Sequence, residues 1–585
     1  MIKIKYKQET IALLIFFAAS LAFAYPVLQK IGNWGIHDWD QHFMYNAVPK
    51  NTILEFKQFP LWSPYYCGGN VMLANPQSSF LNPLFIFVLI LGEVTGLKLL
   101  ILAYLAIGLF GMFLLARHMK ISSISSYLSA ILFMLSGLYA MRVSIGHTVW
   151  MQMALIPYVF LFYLKSLENR RYVFLSALFM AFIFFGGGIY PLLFVTLFLG
   201  FYAVVASIKE WKKMKLTHLR NAALIFILFI LISSVKLIPM LEFAKDHSYA
   251  KEDFQDNSLG KIIEALTFRD INSRMGYMYD YRINGYTESI WNWHEYHAYI
   301  GFLPLLLFLA GSIFLFRKEW PLVLAAVVFF LVAWGGNSII NIWGILKQFP
   351  LISDLHGPSR FLTMFIFSLS LIAGKFISIF ENKKLFFRFK SKKHDILRIF
   401  LILLVLTIFI DLFLVNSQLF KHSFVVKPLK VEEQEFAQVT GVKEKTQYPT
   451  FLANLGLVNC FEKVKPKLGA IPKFDTKTGA IYTNYLGEAY MLENNATQKI
   501  TYFSPNAIRV RANESGTLLL NQNYADGWKV ENGEIKNING LIGAEAGKNQ
   551  EVVFYYLPNS FIMGSVISII SLIFGIALFL NFKIK

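Results

Sequence analysis

The chain has 585 residues, 56% of them hydrophobic, only 16% charged, with a formal net charge of +19. A soluble domain is about one-quarter charged, so a water-soluble fold is excluded as the home of this much apolar surface. The positive charge gives little support to nucleic-acid binding, because it is distributed by membrane side rather than gathered in one patch. Two cysteines, Cys67 and Cys460, exclude a disulfide scaffold and any CxxC metal site. Both fall on the predicted outer side; two free buried thiols are the expected state and a single disulfide the alternative.

A membrane-crossing helix needs about 20 apolar residues. Runs of that kind place spans near 11–28, 95–116, 122–141, 147–165, 172–187, 189–208, 221–240, 298–316, 320–335, 360–379, 397–415 and 560–581. The first follows Lys3, Lys5 and Lys7 and lacks a small-residue cleavage site, so it is read as a retained helix. Pro83 to Gly92 is too short to cross and reads as a re-entrant or interfacial piece, as does Ser338 to Leu351.

Placing the N-terminus in the cytoplasm and alternating puts Arg117 and Lys120, Lys165 with Arg170 and Arg171, Lys209 with Arg220, and Arg317 with Lys318 in inner loops. The cluster from Lys383 to Arg398 and the C-terminal Lys583 and Lys585 also fall inside, as the positive-inside rule requires of twelve spans. The expected protein is thus a polytopic α-helical protein of the plasma membrane with both termini cytoplasmic.

Three polar regions then lie outside. The expected division is a transmembrane domain over 1–417 with outer loops 29–82 and 241–297, a β-rich domain over 418–558, and a last helix and tail over 559–585. The β-rich stretch alternates short apolar runs with turn pairs such as Asp526-Gly527 and Asn532-Gly533, which predicts a small sandwich.

The first outer loop opens with GIHDWDQHF, which sets Asp38 and Asp40 among His37, Gln41 and His42. The plain reading is a solvated loop whose aspartates cap a helix. The chemical reading is a general base or a divalent-metal ligand. Two residues apart, the aspartates lie about 200° apart on a helix and share a face in a strand. One is therefore expected to face a reaction and the other to support it, and the spacing does not say which.

The second outer loop ends in GYTESIWNWHEYHAYIGFLP, gathering Trp291, His294, Glu295 and His297 at a helix entrance. The aromatics read as interface anchors or as platforms for a sugar or lipid headgroup; His294 and His297, three apart, form a weak candidate metal pair. Outer-face cations are few: Arg142, Lys236 and Arg360, each read first as a snorkelling side chain. Arg360 follows Pro358 at a helix start, where its planar fork suits a phosphate. His147 opens the fourth span after Gly146 and reads as an interfacial histidine or a substrate contact.

Outside the cytoplasm a sugar donor has to be carried on a lipid, usually a polyprenyl phosphate. Its phosphate leaves without an acid and asks only for cationic stabilisation, while the acceptor hydroxyl needs a carboxylate base. One aspartate and one arginine at an outer membrane surface make a minimal set for such a transfer, with inversion at the anomeric centre.

Several segments, in order, resemble the YfhO-type bacterial membrane proteins within the C-type (GT-C) glycosyltransferases. HDWDQ is similar to the acidic motif of that family's first external loop, and FPLWSPYYCGGNVMLANPQSSFLNP to its W-x-P-x-x-x-G-G and A-N-P-Q-S stretch. HEYHAYIGFLPLLL resembles its E-x-Y-x-Y-x-G-x-x-P pattern, FPLISDLHGPSRFL its P-x-R-F motif, and NYADGWKV with YLPNSFIMGSVISIISL its ending. The likeness runs from about residue 30 to the C-terminus.

The resemblance implies a GT-C-like fold, a polyprenyl-phosphate-linked sugar, a cell-envelope glycan or lipid acceptor, and an acidic base at Asp38 or Asp40. No cofactor is required by the reading; a divalent cation (Mg or Mn) is the candidate if one is used. His37 stands where members often carry Gly, and His356 where they usually carry Arg, which weakens a phosphate contact on that side. The competing readings are a lipid or polysaccharide transporter or flippase, and a non-catalytic envelope assembly protein.

Overall fold

The computed structural model describes residues 2–210, 216–245, 248–249, 257–271, 293–353, 355, 357–382, 393–441, 447–460, 464–465 and 469–581. The longer helices are α1 (Ile2–Phe23), α2 (Trp39–Leu54), α3 (Ile86–His118), α4 (Ser123–Met134), α5 (Gly137–Ser144), α6 (Ile156–Glu168) and α7 (Tyr172–Phe185). They continue as α8 (Ile189–Lys209), α9 (Thr217–Lys245), α10 (Phe302–Trp334), α11 (Leu362–Asn382), α12 (Lys393–Asn416) and α13 (Asn559–Asn581). Among the described residues nine helical segments are long and apolar enough to cross a membrane, and two shorter apolar helices, Gln8–Phe23 and Tyr172–Phe185, accompany them. Every apolar run marked in the sequence overlaps at least one of these helical segments.

Two helices are broken where the sequence dictates. Gly92 inside α3 adopts φ 76°, ψ 164°, a conformation that L side chains avoid. The arm before it folds back on the helix: a Cβ at Gly96 would stand 2.6 Å from the Phe87 carbonyl oxygen. The Pro83–Gly92 piece is therefore a short arm doubled against its own span. In α10 the break is at Glu319 (φ −115°, ψ 20°), two residues before Pro321. Phe308 before the break and Phe330 after it both meet the ring of Phe365, at 5.4 and 5.1 Å. Glu319 at the bend pairs with Lys375 at 2.5 Å. The two limbs of α10 therefore run antiparallel along α11 as a hairpin.

The C-terminal part carries β3 (Ala437–Val439) and β4 (Leu455–Leu457), and the first long loop carries β1 (Trp62–Ser63) and β2 (Asn70–Val71). Beyond them follow β5 (Ala489–Met491), β6 (Lys499–Ser504), β7 (Ala507–Arg511), β8 (Gly516–Asn523), β9 (Trp528–Val530), β10 (Ile535–Ile538), β11 (Leu541–Ala546) and β12 (Glu551–Tyr556). Two antiparallel four-stranded sheets result, in the orders β10-β11-β8-β5 and β9-β12-β7-β6. Strand alternation explains their packing: Leu518, Leu520, Ile542 and Ala544 of one sheet and Ile508, Val510, Val552 and Phe554 of the other are all buried. The tight turn between β10 and β11 is Asn539-Gly540, with φ 52° and 86°, as a two-residue hairpin of this hand demands.

The first loop is woven into the sheets rather than draped over the helices. Trp62 packs edge-on against Trp528 at 5.3 Å and its indole N–H donates to Gln522 at 2.8 Å. Asn506 accepts from the backbone N–H of Leu61 and Trp62. Cys67 and Cys460 form a disulfide, which corrects the expectation of two free thiols: loop and β-part approach each other across 393 residues of sequence. Lys236 is a second correction. It does not snorkel but is 1% exposed, its ammonium donating to the carbonyls of Pro76, Ser78 and Phe184 at 3.2, 2.7 and 3.3 Å. Lys98 is likewise buried and spends its ammonium on the carbonyls of Lys30, Ile31 and Asn33.

Alkylation of the denatured protein should label no cysteine without reductant and both after reduction. Cys67→Ser should lower the unfolding free energy by about 2–5 kcal/mol, read as a fall in Tm of the purified protein that added reductant reproduces in the wild type.

Candidate functional site

Asp38 is placed by backbone geometry before any side chain contributes. His37 takes φ 52°, the left-handed conformation that Gly supplies at low cost. Asp38 then enters α2 as its N-cap residue. The connection after α5 grips this turn: the Asp38 N–H donates to the Ile145 carbonyl and the Trp39 indole to the Val143 carbonyl, both at 3.0 Å. The approach is so close that Gly146 (φ 98°) has no room for a Cβ, which would stand 2.2 Å from the Trp39 nitrogen.

The two aspartates have different surroundings. Asp40 is 8% exposed, and its carboxylate accepts from the backbone N–H groups of Gln447 and Tyr448 at 2.7 and 3.1 Å. It thereby caps the short helix Gln447–Leu452, satisfying donors that a helix start leaves unpaired. Asp38 has a side chain 49% exposed and meets the His147 Nε2 at 3.0 Å. Burial alone would raise its pKa, but the His147 hydrogen bond and the neighbouring His147, His42 and His37 hold it well below the usual carboxylate range.

Behind His147 lies a buried ion cluster. The His147 Nδ1 faces an Arg142 N–H at 3.4 Å, so a neutral ring with its proton on Nε2 accepts from Arg142 and donates to Asp38. Arg142 also binds the Glu295 carboxylate at 2.8 Å, and Arg360 binds it through Nε at 2.9 Å and a terminal nitrogen at 2.7 Å. Arg142, Glu295 and Arg360 are 1, 3 and 6% exposed. Trp150 stacks on Arg142 at 4.8 Å and Tyr190 on Arg360 at 4.4 Å. Burial opposes ionisation of Glu295, but the two guanidinium groups outweigh it and hold the carboxyl well below its ordinary 4.5.

The structure thus brings Asp38, His147, Arg142, Glu295 and Arg360 into one chain, with His294 beside it at 3.5 Å from Glu295. Arg142, read from the sequence as a snorkelling residue, is its centre; the scarcity of cations on that side was the signal available. The Arg360 fork is occupied by Glu295 rather than open for a phosphate. Gln41 turns along its own helix to Tyr45 at 2.6 Å and does not join the chain. His42 sits beside it, buried, with Nδ1 2.9 Å from the Thr148 hydroxyl. Trp291 lies outside the described residues.

The donor set does not suit a divalent cation. Of the two carboxylates in the chain, Glu295 is saturated by two arginines, whose charge opposes a metal beside it. His294 and His297 do not converge either: His297 is 1% exposed, accepts from the Trp293 indole at 3.3 Å and faces Asn416 at 3.3 Å. No group of three or more His, Cys, Asp or Glu side chains is arranged for a metal among the described residues.

No family model and no curated protein matches the sequence. Among solved structures, the arabinofuranosyltransferase AftD from Mycobacteria overlaps 71% of this chain and 27% of its own at 15% identity and a TM-score of 0.43. The oligosaccharyltransferase AglB from Archaeoglobus fulgidus, solved with an inhibitory peptide and a dolichol-phosphate, overlaps 80% and 66% at 12% identity and a TM-score of 0.46. The chain spans about a quarter of AftD's length and just under two-thirds of AglB's.

Glu295→Gln leaves two buried guanidinium groups without their counter-charge and should cost about 3–5 kcal/mol of stability at neutral pH. Because the folded carboxyl is depressed, its contribution is complete above the ordinary value of 4.5 and drains away as pH falls below it. Thermal melts of both proteins against pH should show the gap narrowing only in acid.

Proposed function

We propose that this protein is an inverting glycosyltransferase of the GT-C kind. It moves a sugar from a polyprenyl-phosphate-linked donor to an acceptor of the cell envelope, with Asp38 as general base. The observation that carries the reading is the half-exposed Asp38 carboxylate, aligned by a donor chain from Arg142 through His147. A base has to be ionised, reachable and oriented, and Asp38 meets all three demands while Asp40 is spent on a helix start.

In this reading twelve passes place the β-sheets, the first loop and the ion cluster outside the cytoplasm, the α10 hairpin supplying two of them. The acceptor hydroxyl donates its proton to Asp38 as its oxygen attacks the anomeric carbon, and the lipid phosphate leaves with the bond's electron pair. The fixed positive field of Arg142 and Arg360, only partly cancelled by Glu295, favours the charge developing on that phosphate. With Asp38 ionised the chain is formally neutral, and once Asp38 takes the acceptor's proton two cations face one anion.

The transporter reading expects ionisable groups that mark a substrate or ion path inside the membrane. Lys98 and Lys236, the buried lysines in the helices, are both saturated by carbonyl oxygens, which favours an anchoring role for them.

Asp38→Asn should leave the fold intact and lower transfer from a lipid-linked sugar by about 10²–10⁴-fold, the range of a general base. Asp40→Asn should lower Tm and leave kcat of the folded protein within a few-fold. Full activity in a folded Asp38→Asn protein would sink the assignment.

A further inference from the structure

A second site lies away from the ion cluster, where the far end of α2 meets the sheets. A groove of about 1270 Å³ opens there, lined by Asn51 and Glu55 from α2 and its C-cap, by Tyr65 of the first loop, and by Glu433, Tyr485 and Glu488 of the C-terminal part. Asn51 follows Asp38 by thirteen residues, about 20 Å along a helix.

The groove's charge runs against that of the molecule. The chain carries +19, yet Glu55, Glu433, Glu435 and Glu488 line this wall against only Lys473 and Lys499. Two of its tyrosines, Tyr65 and Tyr485, lie beside these acids. Glu55 and Glu433 both bear on Tyr65, and Glu488 and Glu435 on Tyr485. The Tyr485 hydroxyl donates to Glu488 at 2.9 Å. A ring face beside a carboxylate is how proteins hold an ammonium group, through the ring quadrupole and the charge together.

Two further atoms ask for a donor. The Asn51 Oδ1 and the Glu488 Oε2 are shut away from bulk water and have no hydrogen-bond partner among the described residues. The Asn51 Oδ1 is an acceptor, and the Glu488 Oε2 is one when that carboxyl is ionised, so a ligand that completes them brings N–H or O–H groups. Burial accordingly pushes the Glu488 carboxyl up to about 7, despite the donors from Gln438, Tyr485 and Asn521.

We propose that this groove binds a glycan chain carrying free amino groups, and that this chain is the acceptor whose growing end reaches Asp38. The identity of the chain as acceptor rests on the transferase reading; the binding itself does not. A groove that shares α2 with the candidate base suits a polymer held some units back from its reacting end. Its acids repel phosphate-rich polymers and the anionic donor alike, which leaves the donor to the Arg142–Arg360 end. The helix Gln447–Leu452, capped by Asp40 and contributing Phe451 to the groove, ties the two sites mechanically.

The test is calorimetric titration of the full-length protein in detergent, at physiological ionic strength and neutral pH. The probes are a β-1,4-linked glucosamine tetramer, its fully N-acetylated counterpart and tetralysine. The glucosamine tetramer should bind, the acetylated one at least about tenfold more weakly. The double variant Glu433→Gln/Glu435→Gln, both exposed side chains whose loss leaves the fold intact, should weaken the glucosamine tetramer about tenfold. Asp38→Asn should bind it as the wild type does. Equal binding of the acetylated tetramer, equal or tighter binding of tetralysine, an unchanged double variant, or no binding at all would each overturn the proposal. Binding without transfer from any lipid-linked sugar would overturn the transferase reading and leave the groove standing; transfer without binding would do the reverse.

Discussion

Two guanidinium groups closed around one carboxylate, out of reach of water, set the terms for the rest of this molecule. Stripping such ions of solvent costs several kcal/mol each, and only close contact between them repays it. Arg142 comes from α5, Glu295 from the loop before α10 and Arg360 from the turn before α11, so the cluster fixes three distant segments at once. Ser359 adds to the lock by donating to the Glu295 carbonyl. Once Arg142 is held, its spare N–H reaches His147, and the imidazole has one neutral tautomer left that serves both neighbours. The orientation of Asp38 is then a consequence of a salt bridge that it does not touch.

The same economy joins the helices to the sheets. Asp40, the residue that the chain offers next to Asp38, neutralises a helix start some four hundred positions later. The Cys67–Cys460 bond, the Trp62 indole on Gln522 and the Lys236 ammonium on the Pro76–Ser78 carbonyls hold the first loop from three sides. A loop rich in Gly, Pro and Asn becomes a rigid partition between bundle and sheets. Its backbone polar groups find side-chain partners instead of ladder partners, which is how irregular chain survives burial.

Much of this architecture was legible in the sequence because bilayer length and strand alternation are one-dimensional signals. Apolar runs of about 20 residues had few places to go. The short apolar runs between turn pairs announced strands, and in the one from Glu551 to Tyr556 the structure buries every second residue. The breaks at Gly92 and Glu319 fall where one apolar segment read from the sequence ends and another begins. The motif residues Asp38, His147, Glu295 and Arg360 were also identifiable, since charged groups beside a membrane need a reason to be there.

What the sequence by itself determined is the set of helices, the presence of a β-rich domain and the short roster of polar residues that chemistry could use. Tertiary structure alone decided their roles. It gave Asp40 to a helix start and Asp38 to the half-open site, turned Arg360's fork inward, put Arg142 at the centre and joined the two cysteines. The physical reason is common to all of these. Hydropathy is a property of neighbours in sequence, whereas the partner of a buried charge is chosen by whichever donor the fold delivers. Here those partners lie from 65 residues away, as for Arg360 and Glu295, to 408, as for Tyr448 and Asp40.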